Sequence, residues 1–239
     1  MIDLYRDFID WLVDQYRDNT ALICKKQPGI TFGELNAACN ALAAGLKCLG
    51  MSKGDTIAVC LGNSYHTRQM FWTAAKGGFV VALINTRLNP GEAAYIINDS
   101  EATCLIVSRE FQQKIEEIRD ELKTVRHFIG ADPGMPGFLD LEDIIASAPA
   151  DEVKCDLQED DLLWLQYTSG TTGFPKGAMY TQRSVAACAQ MGLEALKAYG
   201  KFHKEIRFLQ VAPSYALSGS GWDLMIIPIS PHPSDDIRI

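Results

Sequence analysis

Residues 167–177 read Tyr-Thr-Ser-Gly-Thr-Thr-Gly-Phe-Pro-Lys-Gly, and the fold and chemistry of the chain are best inferred outward from this stretch. The apolar run 161–166 precedes it directly and is typical of a buried strand. A helical pattern begins soon after it, near Gln182. The sequence therefore predicts a loop rich in glycine and hydroxyl groups, with one lysine, following a strand.

The composition of this loop suits a polyphosphate. Glycines let the backbone approach a ligand closely, and successive backbone N–H groups in such a turn form an anion-binding concavity. Ser and Thr hydroxyls add donors, and Lys176 adds a full positive charge on a flexible stem. The residues predicted to hold phosphates are Thr168, Ser169, Gly170, Thr171, Thr172, Gly173 and Lys176.

This loop has two other interpretations, a Walker A loop and a surface turn without a ligand. A Walker A loop is excluded, because its lysine follows glycine and precedes Ser or Thr, whereas Pro175 precedes Lys176 and Gly177 follows it. A glycine-rich surface turn without a ligand remains the alternative, and the number of specified residues argues against it.

Composition narrows the class of protein. The chain has 239 residues, of which 47% are hydrophobic, so it is long enough for one large or two small globular domains. Its net charge of −8 argues against a nucleic-acid partner. No signal peptide is evident, and the apolar region Phe71–Ile84 is interrupted by Lys76 and too short to span a bilayer. We therefore expect no transmembrane segment and a cytoplasmic protein.

The cysteines and histidines give no sign of a metal site. The seven cysteines form no C-x-x-C pair, and the four histidines are scattered along the chain. No set of these residues has the spacing of zinc ligands, so no metal-ligating residue is predicted. Free thiols, mostly buried, in a reducing compartment are the expected state of the cysteines.

Strand and helix patterns alternate along the chain, which predicts an α/β fold with parallel-rich sheets flanked by helices. The capping box Thr31–Glu34 predicts the start of a helix that Gly50 ends. The other predicted helices are Tyr5–Tyr16, Tyr65–Lys76, Pro90–Asn98, Glu110–Leu122 and Gln182–Tyr199. The predicted strands are Ala21–Cys24, Thr56–Leu61, Phe79–Ile84, Thr103–Val107, Val125–Ile129, Asp161–Gln166 and Ile206–Val211.

The stretch 167–177 resembles the phosphate-binding signature of the adenylate-forming superfamily, which includes acyl-CoA synthetases, peptide-synthetase adenylation domains and luciferases. Further stretches that are similar to acyl-CoA synthetases occur in the expected order: Thr31–Leu35, Lys53–Asp55, Leu61–Ser64, Leu83–Leu88 and Asp99–Ala102. The Asn85–Leu88 pattern favours ligases of fatty or aryl acids. The resemblance implies that residues 1–239 are part of a large N-terminal AMP-binding domain, without the small C-terminal domain.

The resemblance also implies a reaction. A carboxylic acid, favoured to be a fatty acid, attacks the α-phosphate of ATP, and the acyl adenylate then passes to coenzyme A, with Mg²⁺ on the phosphates. Lys176 and Thr172 are the implied catalytic residues. Tyr215, Gly219 and Trp222 are implied on the acyl side, although plain core packing explains the two aromatics equally well. Ala216 stands where many CoA ligases carry a histidine.

Other functions remain open at this point. The later motifs of the family, which hold the adenine, the ribose and the catalytic lysine of the C-terminal domain, are absent, so we expect the 239-residue chain alone to be inactive. It is then a nucleotide-binding remnant, and an unpaired sheet edge would allow it to form a homo-oligomer. An adenylation domain of the peptide-synthetase type is a third possibility, which would need a carrier-protein partner.

Overall fold

The structure is a computed structural model that describes residues 2–24, 29–168, 175–200 and 211–216. The helices in these ranges are α1 (Tyr5–Tyr16), α2 (Phe32–Cys48), α3 (Tyr65–Gly77), α4 (Pro90–Asp99), α5 (Gln112–Ile118), α6 (Leu141–Ser147) and α7 (Gln182–Gly200). The strands are β1 (Thr20–Leu22), β2 (Ile30–Thr31), β3 (Thr56–Cys60), β4 (Val80–Leu83), β5 (Ala102–Val107), β6 (His127–Gly130), β7 (Leu139–Asp140), β8 (Leu162–Thr168) and β9 (Lys176–Thr181).

Seven of the strands form one sheet in the order β7-β6-β5-β3-β4-β8-β9. Every neighbouring pair in it is parallel except the last, in which β9 runs antiparallel to β8. Strands β1 and β2 pair with each other in a separate antiparallel ribbon. Parallel strands end at the same side of a sheet, so the loops after β3, β4 and β8 share one side, which we call the carboxyl edge. The predicted α/β fold is confirmed.

Helices cover both faces of this sheet. Buried residues of α1, α2, α3, α6 and α7 form the larger core on one face, and those of α4 and α5 form a second core on the other. In the larger core, Trp164 of β8 is 1% exposed. Its ring lies edge-on to Phe71 of α3 at 5.8 Å between centroids and stacks on Tyr180 of β9 at 4.4 Å. Because buried aromatics contribute large apolar areas, Trp164 anchors the β8–β9 hairpin to the core.

The predicted start of α2 is confirmed in atomic detail. The backbone N–H of Glu34 donates to Thr31 Oγ1 at 3.1 Å, and the N–H of Thr31 donates to Glu34 Oε2 at 2.9 Å. Two backbone donors at the helix start are thereby satisfied. Gly50 follows the helix with φ +89°, a conformation that favours glycine, as the sequence predicted.

The helix predicted over Glu110–Leu122 is shorter in the structure. Only Gln112–Ile118 is α-helical, and three-residue 3₁₀ turns lie on either side of it. Contacts made by Arg119 explain the early end: its guanidinium lies 3.8 Å from the centre of the Phe128 ring and donates to the carbonyl of Gly137 at 3.0 Å. These contacts with distant parts of the chain override the local helical pattern.

Asp161 fixes the entry to β8. Its Oδ2 atom lies 2.6 Å from Lys53 Nζ and accepts the backbone N–H of Gln158 at 2.7 Å. Partial burial raises the pKa of the Asp161 carboxyl, but the hydrogen bonds from Gln158 and Lys53 outweigh it, and the net pKa is lowered. A carboxyl with a depressed folded pKa stabilises the protein above its unfolded pKa and loses that contribution as the pH falls.

We therefore expect Asp161→Asn to be less stable than the unsubstituted chain at pH 7, and the difference to shrink as the pH falls below the usual Asp pKa of about 4 toward the lower folded pKa of Asp161. Urea unfolding of both proteins across this range measures the difference in free energy of unfolding. A difference that does not shrink as the pH falls would show that the Asp161 charge is not what stabilises this entry.

Candidate functional site

The two ends of the predicted phosphate loop meet as a pair of hydrogen-bonded strands. Strand β8 ends at Thr168, strand β9 begins at Lys176, and these two residues are directly opposite each other in the antiparallel register. Directly opposite residues project their side chains from the same face of a hairpin. The structure therefore brings together the hydroxyl of Thr168 and the ammonium of Lys176, both exposed, at the carboxyl edge.

The remaining members of the predicted site lie outside the described residues, and their roles stay predictions. In the loop these are Ser169, Gly170, Thr171, Thr172 and Gly173, and on the acyl side they are Gly219 and Trp222. Most of the predicted strand Ile206–Val211 is outside the described residues as well.

The hairpin has two different faces. Trp164, Gln166 and Thr168 alternate on one face of β8, with Tyr180, Ala178 and Lys176 opposite them on β9. Tyr167 and Gly177 form a cross-strand pair on the other face. A Cβ atom at Gly177 would lie only 3.1 Å from the Tyr167 ring. Gly177 thus makes room for this ring.

A cavity of about 690 Å³ opens on the Tyr167 face. Its lining includes the carboxylates of Asp55, Asp99 and Glu101. Negative charges repel phosphate, and Lys176 projects from the opposite face of the hairpin. We therefore place the candidate phosphate site on the Lys176 face and not in this cavity.

Tyr167 ties the base of the hairpin to α4. Its hydroxyl donates to Asp99 Oδ2 at 2.7 Å. Burial raises the pKa of the Tyr167 phenol, and the hydrogen bond to Asp99 raises it further, so the phenol stays protonated and remains a donor. The hydroxyl of Tyr95 also donates to this carboxylate, at 3.5 Å.

Removal of this hydrogen bond should weaken the hairpin base. We expect Tyr167→Phe to lower the free energy of unfolding by about 1 kcal/mol, the net value of a hydrogen bond to a partly exposed charged group. Tyr95→Phe is the matched control and should cost less, because its contact with Asp99 is longer. Urea unfolding compares the two. Equal losses would show that the shorter bond has no special part in holding the hairpin.

A second segment, 211–216, lies at the same edge and contains Tyr215, the described member of the predicted acyl side. Gln166 of β8 donates from Nε2 to the backbone carbonyl of Tyr215 at 2.9 Å. The Tyr215 side chain is half-buried and packs against the larger core. The structure thus brings the predicted phosphate and acyl segments to one face of the hairpin, with Gln166 between them.

Two residues join these segments, and no role was predicted for either of them from the sequence. They are Asn63, after β3, and Gln166, the buried amide of an otherwise apolar strand. A buried Gln within such a strand is a usable signal, since a buried amide needs hydrogen-bond partners. Asn63 gives no such signal, because its partners lie about 150 residues away along the chain (|i−j| 149 and 151).

Among the described residues, no group of three or more His, Cys, Asp or Glu side chains could hold a metal ion. No described helix is both long and apolar enough to cross a membrane. All seven cysteines are free; Cys39, Cys60 and Cys104 are buried, whereas Cys48 is exposed, so the expectation of mostly buried thiols is only partly met.

The family model "AMP-binding enzyme" matches residues 9–229. This match, which includes the β8–β9 hairpin, shows that the chain belongs to the AMP-binding enzyme family. The resemblance inferred from residues 167–177 is confirmed.

Curated relatives are acyl-CoA ligases. The long-chain-fatty-acid–CoA ligase FadD13 of Mycobacterium tuberculosis is 39% identical over 163 residues, which cover 67% of this chain and 31% of that protein. The 4-hydroxybenzoate–CoA/benzoate–CoA ligase of Rhodopseudomonas palustris is 30% identical over 184 residues, covering 77% of this chain and 34% of that protein. The matched part of the chain thus spans about a third of the length of these relatives (31% and 34%).

Solved structures share this fold. The inhibitor-bound N-terminal domain of FACL13 from Mycobacterium tuberculosis has a TM-score of 0.82 at 28% identity and covers 100% of this chain and 57% of that one. The anthranilate CoA ligase AuaEII, in complex with anthranoyl-AMP, has a TM-score of 0.83 and covers 99% of this chain and 44% of that one. At 24% identity, the second likeness concerns the fold alone.

Proposed function

We propose that this chain is the ATP-binding part of an AMP-forming acyl-CoA ligase. In this reaction a carboxylic acid attacks the α-phosphate of ATP, pyrophosphate leaves, and the acyl adenylate is transferred to the thiol of coenzyme A. The observation that carries the proposal is the cross-strand pair Thr168–Lys176 at the carboxyl edge, in a chain of the AMP-binding enzyme family. The carboxyl ends of parallel strands are the usual location of ligands in open α/β sheets.

The residues predicted to hold phosphates have proposed parts in the chemistry. The Lys176 ammonium neutralises charge on the β- and γ-phosphates and on the leaving pyrophosphate, where phosphoryl transfer depends mainly on positioning and electrostatics. The hydroxyl of Thr168 donates to phosphate oxygens, and the backbone N–H groups and hydroxyls of residues 169–173 are predicted to do the same. Thr172 is the second proposed catalytic residue, together with Lys176. No residue of the chain is needed as a covalent nucleophile.

Magnesium fits this hairpin only as a companion of the nucleotide. Residues 162–181 contain no Asp or Glu, so the hairpin offers hydroxyl oxygens and no carboxylate ligand. Mg²⁺ retains several waters and commonly binds through substrate phosphates. We propose that it arrives with ATP, where it would neutralise phosphate charge.

A fatty acid is the proposed substrate class. The Asn85–Leu88 pattern and the 39% identity to a long-chain-fatty-acid–CoA ligase support it. The benzoate–CoA ligase among the relatives makes aromatic acids the first alternative. Both acid types therefore belong in any assay.

A second candidate function is nucleotide binding without turnover. The Thr168–Lys176 pair favours it as well, because an exposed hydroxyl and ammonium can hold phosphate whether or not acyl transfer follows. In this case the 239-residue chain binds ATP and is inactive by itself, as part of a larger N-terminal domain. A peptide-synthetase type of adenylation has no such support, since the relatives cited are CoA ligases.

ATP–pyrophosphate exchange with a panel of fatty and aromatic acids separates these functions. Exchange that depends on one of the acids supports acyl activation by this chain and identifies the acid class. ATP binding without exchange supports the second candidate function. A folded chain that neither exchanges nor binds ATP contradicts both.

The proposal also includes self-association. Strand β9 is the last strand of the seven-stranded sheet among the described residues, and its Met179 is 70% exposed. Such an edge can pair with a second copy. Size-exclusion chromatography with light scattering tests this, and a monomer at all concentrations would contradict it. The cytoplasmic location stays a prediction from the sequence.

A further inference from the structure

Asn63 holds the backbone of the segment 212–214. Its Nδ2 atom donates to the carbonyl of Ala212 at 2.9 Å, and its Oδ1 atom accepts the backbone N–H of Ser214 at 2.8 Å. The Ser214 hydroxyl approaches the same oxygen at 3.1 Å. One amide side chain thus meets a backbone acceptor and a backbone donor two residues apart.

These contacts define the start of a turn. The backbone N–H of Ala216 donates to the carbonyl of Pro213 at 3.0 Å, which leaves Ser214 and Tyr215 at the corner. Ser214 is buried, at 5% exposure. Gln166 holds the far side of the turn through the Tyr215 carbonyl at 2.9 Å. The turn is therefore held by two side chains: Asn63, from the loop after β3, contacts Ala212 and Ser214, and Gln166 of β8 contacts Tyr215.

We propose that Asn63 is a positioning residue for the acyl side of the site. It fixes the turn 213–216 at the carboxyl edge, on the hairpin face of Lys176, and so sets where Tyr215 stands. This inference rests on the proposed function, because the acyl side is assigned through it. Asn63 itself precedes the N-cap residue Ser64 of α3, so its replacement leaves the cap of that helix intact.

The chain contains a matched control at the opposite edge of the sheet. Asn98, in the last turn of α4, donates from Nδ2 to the carbonyl of Glu121 at 3.0 Å and accepts the N–H of Lys123 at 2.9 Å. Asn98 thus makes the same pair of hydrogen bonds as Asn63, to a backbone carbonyl and a backbone N–H two residues apart. It lies before β6, at the amino end of the parallel strands, and so away from Lys176.

The experiment compares Asn63→Ala with Asn98→Ala in the full 239-residue chain. Hydrogen–deuterium exchange of the peptide containing residues 211–216 reports the turn. ATP–pyrophosphate exchange with the best acid of the panel gives KM for the acid and for ATP separately. Asn63→Asp is a third variant, which keeps an acceptor for Ser214 and loses the donor to Ala212.

We expect Asn63→Ala to raise amide exchange in 211–216 by about tenfold and KM for the acid by a similar factor, from the loss of hydrogen bonds. KM for ATP and kcat should stay within about twofold, since no bond to the phosphate hairpin is removed. Asn63→Asp should show a smaller effect. Asn98→Ala should change stability without changing the exchange of 211–216 or KM for the acid.

Unchanged amide exchange of 211–216 in Asn63→Ala overturns the proposal, and so does an equal rise in KM for the acid in Asn98→Ala. Failure of the proposed function is seen separately. If the unsubstituted chain shows no pyrophosphate exchange, acyl activation by this chain is wrong, and the amide exchange alone then decides whether Asn63 positions the turn.

Discussion

Lys176→Ala should weaken binding of Mg·ATP about 10-fold to 100-fold, as expected for the loss of a hydrogen bond between charged groups. Lys176 is exposed and begins β9, so its replacement by alanine removes a charge without opening a cavity. The stability of the chain should therefore be almost unchanged. Isothermal titration with Mg·ATP measures the effect. Adenosine, which lacks phosphates, is the control ligand, and its titration should not differ between the two proteins.

Two further variants make this result specific. The backbone carbonyl of Lys154 accepts a hydrogen bond from Lys47 in the last turn of α2, on the side of the sheet opposite the carboxyl edge. The Lys154 side chain is exposed, and Lys154→Ala should leave ATP affinity unchanged. Lys176→Arg keeps the charge but not the compact ammonium geometry, and an intermediate affinity is expected. Equal losses of ATP affinity in Lys176→Ala and Lys154→Ala would show that the effect comes from the overall charge of the chain and not from a contact of Lys176 with phosphate.

Asp10→Ala should destabilise the fold by about 3 kcal/mol, at the lower end of values for breaking a buried ion pair. Lys76 of α3 is 1% exposed, and its Nζ atom lies 2.7 Å from Asp10 Oδ1 of α1. Without Asp10, the buried ammonium has lost its anionic partner. We take the lower end because the Asp10 side chain is 39% exposed.

The reverse substitution should cost much less. Lys76→Met fills the same space with an apolar chain and leaves Asp10 with access to water, so about 1 kcal/mol or less is expected. The double variant should resemble Lys76→Met. Urea unfolding of the three proteins gives the free energies, and a larger loss in Lys76→Met than in Asp10→Ala would contradict the asymmetry.

The sequence predicted the elements that carry strong local patterns. The capping box at Thr31 and the apolar run before Thr168 gave α2 and β8 close to their observed bounds. No strand was predicted for Lys176–Thr181, because its glycine, lysine and polar residues obscure the alternation of apolar and polar side chains that indicates a strand. That strand forms through contacts across the hairpin, such as the stack of Tyr180 on Trp164.

The candidate site was predictable in its chemistry and not in its assembly. Lys176 and the hydroxyls around it predict a phosphate loop from composition alone. The contacts of Asn63 and Gln166 with the segment 212–215 join residues 49 to 151 positions apart. Such pairs have no periodicity or spacing to reveal them, and only the folded sheet brings them together.

The most direct test is a hydrogen–deuterium exchange footprint of Mg·ATP on the 239-residue chain. We expect slower exchange in peptides that span residues 166–178 when Mg·ATP is added, and no such change in Lys176→Ala at the same nucleotide concentration. Amide exchange of residues 121–123, at the amino ends of the parallel strands, should not change. Saturating ATP that protects other regions and leaves 166–178 unchanged would contradict the assignment of this hairpin as the phosphate site.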